Sequence, residues 1–125
     1  MRIGIDLDNT ITATSKSKKF FSMLSSFFSK CGTIYIITHR SNDKQSILET
    51  KKELEELDIT YDHLIITGEK DKFIVNEGIE VYFDDTDEYF LDLPPEVLVF
   101  KIREEGNFDF FERKWVYGDE TGLKI

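Results

Sequence analysis

IGIDLDNTI, residues Ile3 to Ile11, sets two aspartates into a run that otherwise reads as a buried strand. Ile3, Ile5 and Leu7 favour cover. Asp6 and Asp8 do not, because an unpaired buried carboxylate costs several kcal/mol or takes up a proton. Either something cationic meets the two acids at the strand tip, or the strand stops before Asp6 and they cap the next segment.

The segments beyond this strand alternate in period. SKKFFSMLSSFFSKCG (17–32) clusters Phe20, Phe21, Met23, Leu24, Phe27 and Phe28 at helical spacing, which predicts an amphipathic helix closed by Gly32. TIYIIT (33–38) is a β-rich run ending at Thr38. A second helix is expected over 41–59, with capping candidates at Ser41 to Asp43 and an apolar face of Ile47, Leu48, Leu54 and Leu57. HLIIT (63–67) is a third strand, DKFIVNEG (71–78) a short helix ended by Gly78, and IEVYFDD (79–85) a fourth strand with acids at its tip. EVLVFKI (96–102) is a fifth strand. Such alternation implies βαβ units: an α/β, Rossmann-like three-layer sandwich with a mainly parallel central sheet. The aromatic tail, 104–125, is expected to form a hairpin or irregular flap over the sheet, completing one domain over 1–125.

Composition narrows the function classes. The chain has 125 residues, and its 11 phenylalanines supply much of the core volume. No apolar run approaches the roughly 18 residues of a membrane span, and the amino terminus enters a strand with no signal-peptide profile. Cys31 is alone, which leaves no disulfide framework or Cys-based zinc site; it reads as a small buried hydrophobe at a helix end. A cytoplasmic protein fits these features. The net charge of −9 disfavours duplex nucleic acid, whose phosphates need several lysines or arginines. Lys16, Lys18 and Lys19 read as a solvated helix end, with a positive rim for an anionic substrate as the alternative.

In parallel sheets, ligands bind outside the carboxyl ends of the strands. There the expected topology gathers Asp6, Asp8, Thr38, Asp84 and Asp85, with Lys70 opening the helix after the third strand. Two acids two apart point to one face of a regular strand. If the chain turns after Asp6, Asp8 instead offers its carbonyl and swings its side chain elsewhere. Four carboxylates suit a hard cation such as magnesium, completed by waters and a substrate phosphate. One carboxylate beside it can attack phosphorus to give an aspartyl-phosphate. The Thr38 hydroxyl can donate to phosphate oxygens, and Lys70 adds charge where the transition state needs it.

These residues, in this order, resemble the haloacid dehalogenase-like (HAD) superfamily of aspartate-nucleophile phosphatases. DLDNT (6–10) matches its first motif, IYIITHR (34–40) its second, GEKDKF (68–73) its third and VYFDDTDE (81–88) its fourth. The resemblance implies that Asp6 is the nucleophile and a magnesium ligand. It implies that Asp8 is the general acid and then base, touching the metal through its main-chain oxygen. By the same resemblance Thr10 holds the loop, Thr38 binds phosphate, Lys70 neutralises Asp6 and the phosphoryl group, and Asp85 ligates the metal with Asp84 in support. Lys72 competes with Lys70 for the third motif, and Asp87 with Asp84 for the fourth.

Among the neighbours, His39 reads as structural or as a substrate contact. Arg40 is expected to pair with a nearby acid, with a second anionic group of the substrate as the alternative. His63 reads as a loop histidine, and Trp115 and Tyr117 as packing residues that could instead stack on a base or sugar. One helix and its loops fill the interval from Asp8 to Thr38, and one helix and one strand fill that from Thr38 to Lys70. Neither leaves room for a cap domain, so the resemblance is to capless members. Their open cleft implies a small-molecule phosphate ester with a homo-oligomer or the tail as cover, or a macromolecular substrate. Nucleotides and sugar phosphates are the expected small esters. A non-catalytic or phosphotransfer regulatory domain that binds phosphate and magnesium is the rival class.

Overall fold

The computed structural model describes residues 1–103 and 108–115. Five strands form one parallel sheet: β1 (Arg2–Ile5), β2 (Thr33–Thr38), β3 (His63–Ile66), β4 (Val81–Asp84) and β5 (Leu98–Lys101), in the order β3-β2-β1-β4-β5. Helices α1 (Ser15–Phe28), α2 (Lys44–Glu56) and α3 (Lys70–Glu77) flank it, giving the expected Rossmann-like α/β architecture. Among the described residues, no helix is long and apolar enough to cross a membrane.

Alternation along the strands builds two cores. Ile3, Ile5, Ile34, Ile36, Val81 and Phe83 face one side, where Phe21 of α1 and Leu54 of α2 cover them. Tyr35, Ile37 and Tyr82 face the other, beneath Ile74 of α3. Both faces are covered, which explains the near-continuous apolar runs of the inner strands. Gly4 sits at the centre of the second face. A Cβ there would lie 2.9 Å from Ile37 Cδ1 and 3.0 Å from Tyr82 Cδ1, so packing, not turn geometry, excludes a side chain.

The chain leaves β1 for β2 on one side, then returns to place β4 on the other side of β1. The strand order therefore reverses between β1 and β4, where neighbouring loops diverge and leave a crevice. Asp6 follows β1 and Asp84 ends β4, so the acids stand at this reversal.

Several local expectations are corrected. Helix α1 stops at Phe28, before Gly32, and buries one stripe only; Phe20, Met23 and Phe27 lie on its solvent side. Residues at i, i+3 and i+7 repeat on both sides of this helix, so periodicity could not choose between Phe21-Leu24-Phe28 and Phe20-Met23-Phe27. On α2, Leu54 is buried but Leu48 is exposed. Cys31 is exposed, because the chain has already left the helix there. His63 begins β3 and stacks on Tyr35 with ring centroids 4.8 Å apart. Gly78 does end α3, with the left-handed φ of 72° that glycine adopts at little cost.

The described part of the tail is a short antiparallel hairpin, β6 (Phe108–Asp109) and β7 (Lys114–Trp115). Arg103 stacks over Phe108 and Lys101 over Trp115, anchoring the hairpin beside the end of β5. Tyr117 and the remaining tail residues lie outside the described residues.

Gly4→Val would force a branched side chain against Ile37 and Tyr82. We expect a loss of ~1–3 kcal/mol, read as a lower urea midpoint at unchanged slope. An unchanged midpoint would show that this face has spare room.

Candidate functional site

The strand tips open on a cleft of about 210 Å³, lined by Asp6, Asp8, Thr38, Lys70, Asp85 and Tyr89 among others. Asp6 continues β1 for one residue, its N–H donating to the Phe83 carbonyl at 2.9 Å. The chain then turns: Asn9 takes φ 60°, a left-handed conformation that asparagine tolerates better than most residues. The two aspartates therefore part company, as the second alternative read from the sequence requires. Asp6 is buried, whereas half of the Asp8 side-chain surface stays open.

Asp6 shares the strand parity of Gly4, and Asp84 that of Tyr82, so both acids face the α3 side. Lys70, the first residue of α3, rises into them. Its ammonium donates to Asp6 Oδ1 at 2.7 Å and to Asp84 Oδ2 at 3.1 Å, with all three side chains buried. Lys72 points into solvent and pairs with Glu69. The Thr10 hydroxyl donates to Asp6 Oδ2 at 2.8 Å, tying the loop back to the strand tip.

Asp84 is saturated. Lys70 and the Tyr82 hydroxyl donate to Oδ2, and the N–H groups of Asp85 and Thr86 donate to Oδ1 at 2.7 and 3.0 Å. An acid so occupied orients its surroundings and is poorly placed to ligate a cation directly. Asp87 instead pairs with Lys101.

One ammonium thus serves two carboxylates, and a third, Asp85, stands beside them. Ligand atoms of Asp6, Asp84 and Asp85 lie within 4.8 Å of one another. Burial, then the charge of Asp84, pushes Asp6 well above the usual aspartate range. The same two causes raise Asp85 to about 6. For Lys70 burial favours the neutral amine, but Asp6 and Asp84 together outweigh it and the net shift is upward. The lysine stays charged and the shortfall falls on the acids. This all-oxygen donor set with an excess of negative charge fits a hard divalent cation such as magnesium.

Asp8 lies across the cleft. Arg40 grips it with a two-pronged contact, Nε to Oδ2 at 2.9 Å and Nη2 to Oδ1 at 2.7 Å. These hydrogen bonds are the main reason its carboxyl sits below the usual range, against the opposing effect of burial. The fully covered Thr38 directs its hydroxyl to Asp8 Oδ2 at 3.5 Å.

Three features were not read from the sequence. Tyr82 was identifiable in principle, two residues before Asp84 on the same strand face. Tyr89 follows no period: it sits in a short helical turn (Asp87–Tyr89), with the Lys70 ammonium 4.3 Å from its ring centroid. Its hydroxyl meets His39 Nδ1 at 3.2 Å, forming a bar across the rim. Gly68 makes room for that bar, since a Cβ there would lie 3.1 Å from His39 Nε2. The third is that the acid paired with Arg40 is Asp8 itself. No described residue of the tail hairpin lines the cleft.

No family model, curated protein or solved structure matches this chain.

The pKa shifts carry a sign. Asp85 binds its proton more tightly in the folded protein, about 6 against the ordinary 3.8. Its contribution to stability is therefore lost as pH rises through that window, and Asp6 acts in the same direction. Asp8 acts oppositely: its contribution is present above 3.8 and lost as pH falls further. A divalent cation that neutralises the cluster should offset the loss above pH 6. Thermal unfolding should show magnesium raising Tm at pH 7.5 and much less at pH 5, against a chelated control. An equal rise at both pH values would contradict a carboxylate site.

Proposed function

We propose that this chain is a magnesium-dependent phosphomonoester hydrolase of the cytoplasm, working through an aspartyl-phosphate on Asp6, as its likeness to capless HAD-like phosphatases suggests. The observation that carries the reading is the charge-deficient cluster of Asp6, Asp84, Asp85 and Lys70, with Asp8 and Thr38 facing it across a small open cleft.

Asp6 and Asp85 would hold the cation directly, with the main-chain oxygen of Asp8 beside it and Asp84 in support. The bound cation supplies charge neutralisation, allowing a phosphate dianion to approach three acids. The protein supplies the remaining work. Lys70 fixes one Asp6 oxygen and Thr10 the other, so the nucleophile is held before substrate arrives.

In the first half-reaction an Asp6 oxygen bonds to phosphorus as the ester P–O bond breaks, and the leaving oxygen takes its proton from Asp8. In the second half, Asp8 removes a proton from water, whose oxygen attacks phosphorus. The P–O bond to Asp6 then breaks, releasing inorganic phosphate and restoring the carboxylate. The Arg40-paired carboxylate is the form that this second half needs, whereas the first half needs Asp8 protonated, the form that the Arg40 contact disfavours. Thr38 donates to a phosphoryl oxygen, and Lys70 neutralises charge during both halves.

A cleft of this size suits a small-molecule ester, such as a nucleotide or sugar phosphate, better than a folded macromolecule. The net charge of −9 works against nucleic acid, and a neighbouring copy in a homo-oligomer is one way to cover the open rim.

The test is phosphate release from p-nitrophenyl phosphate and a panel of nucleotides and sugar phosphates. Wild type with magnesium should turn over. Asp6→Asn and the chelated enzyme should fall to background, by at least about 10³-fold for loss of the nucleophile. Turnover retained by Asp6→Asn would remove the mechanism. Silence from wild type would favour a phosphate-binding regulatory role.

A further inference from the structure

We infer that Arg40 is a positioning residue for Asp8, itself held by Glu53 and Thr50 of α2, and not a receptor for an anionic part of the substrate. The inference rests on the hydrolase reading and assigns roles to residues outside the acidic cluster.

The donor inventory of the guanidinium decides between the two roles. Arginine has five N–H donors in a fixed plane. Nε–H and one Nη2–H go to the two oxygens of Asp8. Nη2 also forms an ion pair with Glu53 at 2.8 Å. One Nη1–H meets Thr50 Oγ1 at 3.1 Å, and that hydroxyl donates to the Ser46 carbonyl at 2.7 Å, one turn back on α2. Three of five donors are therefore hydrogen-bonded within the protein, Nη2 is also ion-paired with Glu53, and the Arg40 side chain is only 21% exposed. A receptor for a second substrate anion would have to abandon two carboxylates.

The same geometry suits a clamp. The parallel two-pronged contact fixes the carboxylate plane as well as its position, which a lysine could not do. Asp8 needs such a partner, because it stands beyond the sheet that holds Asp6, at the turn into Asn9. Glu53, near the end of α2, pairs with the same Nη2 that donates to Asp8 Oδ1, so the guanidinium is held between the two acids. Glu53 does not line the cleft, so it has no route to the substrate except through Arg40.

Steady-state kinetics of Arg40→Gln, Arg40→Lys and Glu53→Gln provide the test. General acid–base groups contribute about 10²–10⁴-fold, and loss of orientation should forfeit at least about tenfold of it. Arg40→Gln should lower kcat by that factor with KM changed less than about twofold. Arg40→Lys should restore little, since it keeps the charge but loses the fork. Glu53→Gln should lower kcat by a few-fold with Tm unchanged. In an Asp8→Asn background, Arg40→Gln should cost nothing further, because its only route of action is gone. A raised KM at constant kcat would make Arg40 a substrate contact and overturn the inference. An equal loss in the Asp8→Asn background would overturn it as well. An active wild type with unchanged variants removes this inference alone, whereas a wild type silent on every ester removes the hydrolase reading and this inference together.

Discussion

The buried ammonium of Lys70 is the interaction on which the site depends. It opens α3, enters the interior, and is the one cation within hydrogen-bonding reach of Asp6 and Asp84 among the described residues. Removing one partner of a buried ion pair costs about 3–5 kcal/mol, since the other charge is left uncompensated. Here the deficit would be larger in kind, because two carboxylates would lose their common partner. The fold surrounds the contact with further donors. Tyr82 and two backbone N–H groups take up what remains of Asp84, and the Thr10 hydroxyl holds the second oxygen of Asp6.

That contact explains why the sheet is arranged as it is around the site. The strand order reverses between β1 and β4, so their tips are neighbours while their following loops diverge. Asp6 and Asp84 share the α3 face by strand parity, and α3 begins where its first residue can reach both. Gly4, two residues before Asp6 on that same face, lets Tyr82 and Ile37 close over the strand. Packing beneath the acids and charge above them thus come from one periodicity.

The same periodicity accounts for what was legible in the sequence. Strands buried on both faces announce themselves as apolar runs, and the acids at their tips violate the pattern visibly. Asp6, Asp84, Asp85 and Lys70 could therefore be gathered before any coordinates. Where two answers satisfy one pattern, the reading failed: α1 carries two apolar stripes, and Phe20, Met23 and Phe27 lie on the outer one. Contacts made by loops carry no period at all. Tyr89 over Lys70, its bar to His39 and the choice of Asp8 as partner for Arg40 depend on tertiary positions that no local spacing encodes. The burial expected of Cys31 came from extending α1 too far, since its apolar run does not state where the last turn ends.

Two aspartates separated by a single leucine end in opposite electrostatic environments, and the turn at Asn9 is the cause. Asp6 stays with the sheet, where burial and Asp84 raise it; Asp8 leaves the sheet, where Arg40 lowers it. The two environments push the carboxyl groups apart, Asp6 toward its protonated form and Asp8 toward its carboxylate. Had β1 run straight through Asp8, both acids would have faced Lys70 and competed for it. A regular strand could supply two ligands for a cation, but not two different chemistries. The left-handed residue after Asp8 converts a repeated acid into a pair with separate partners, Lys70 for one and Arg40 for the other.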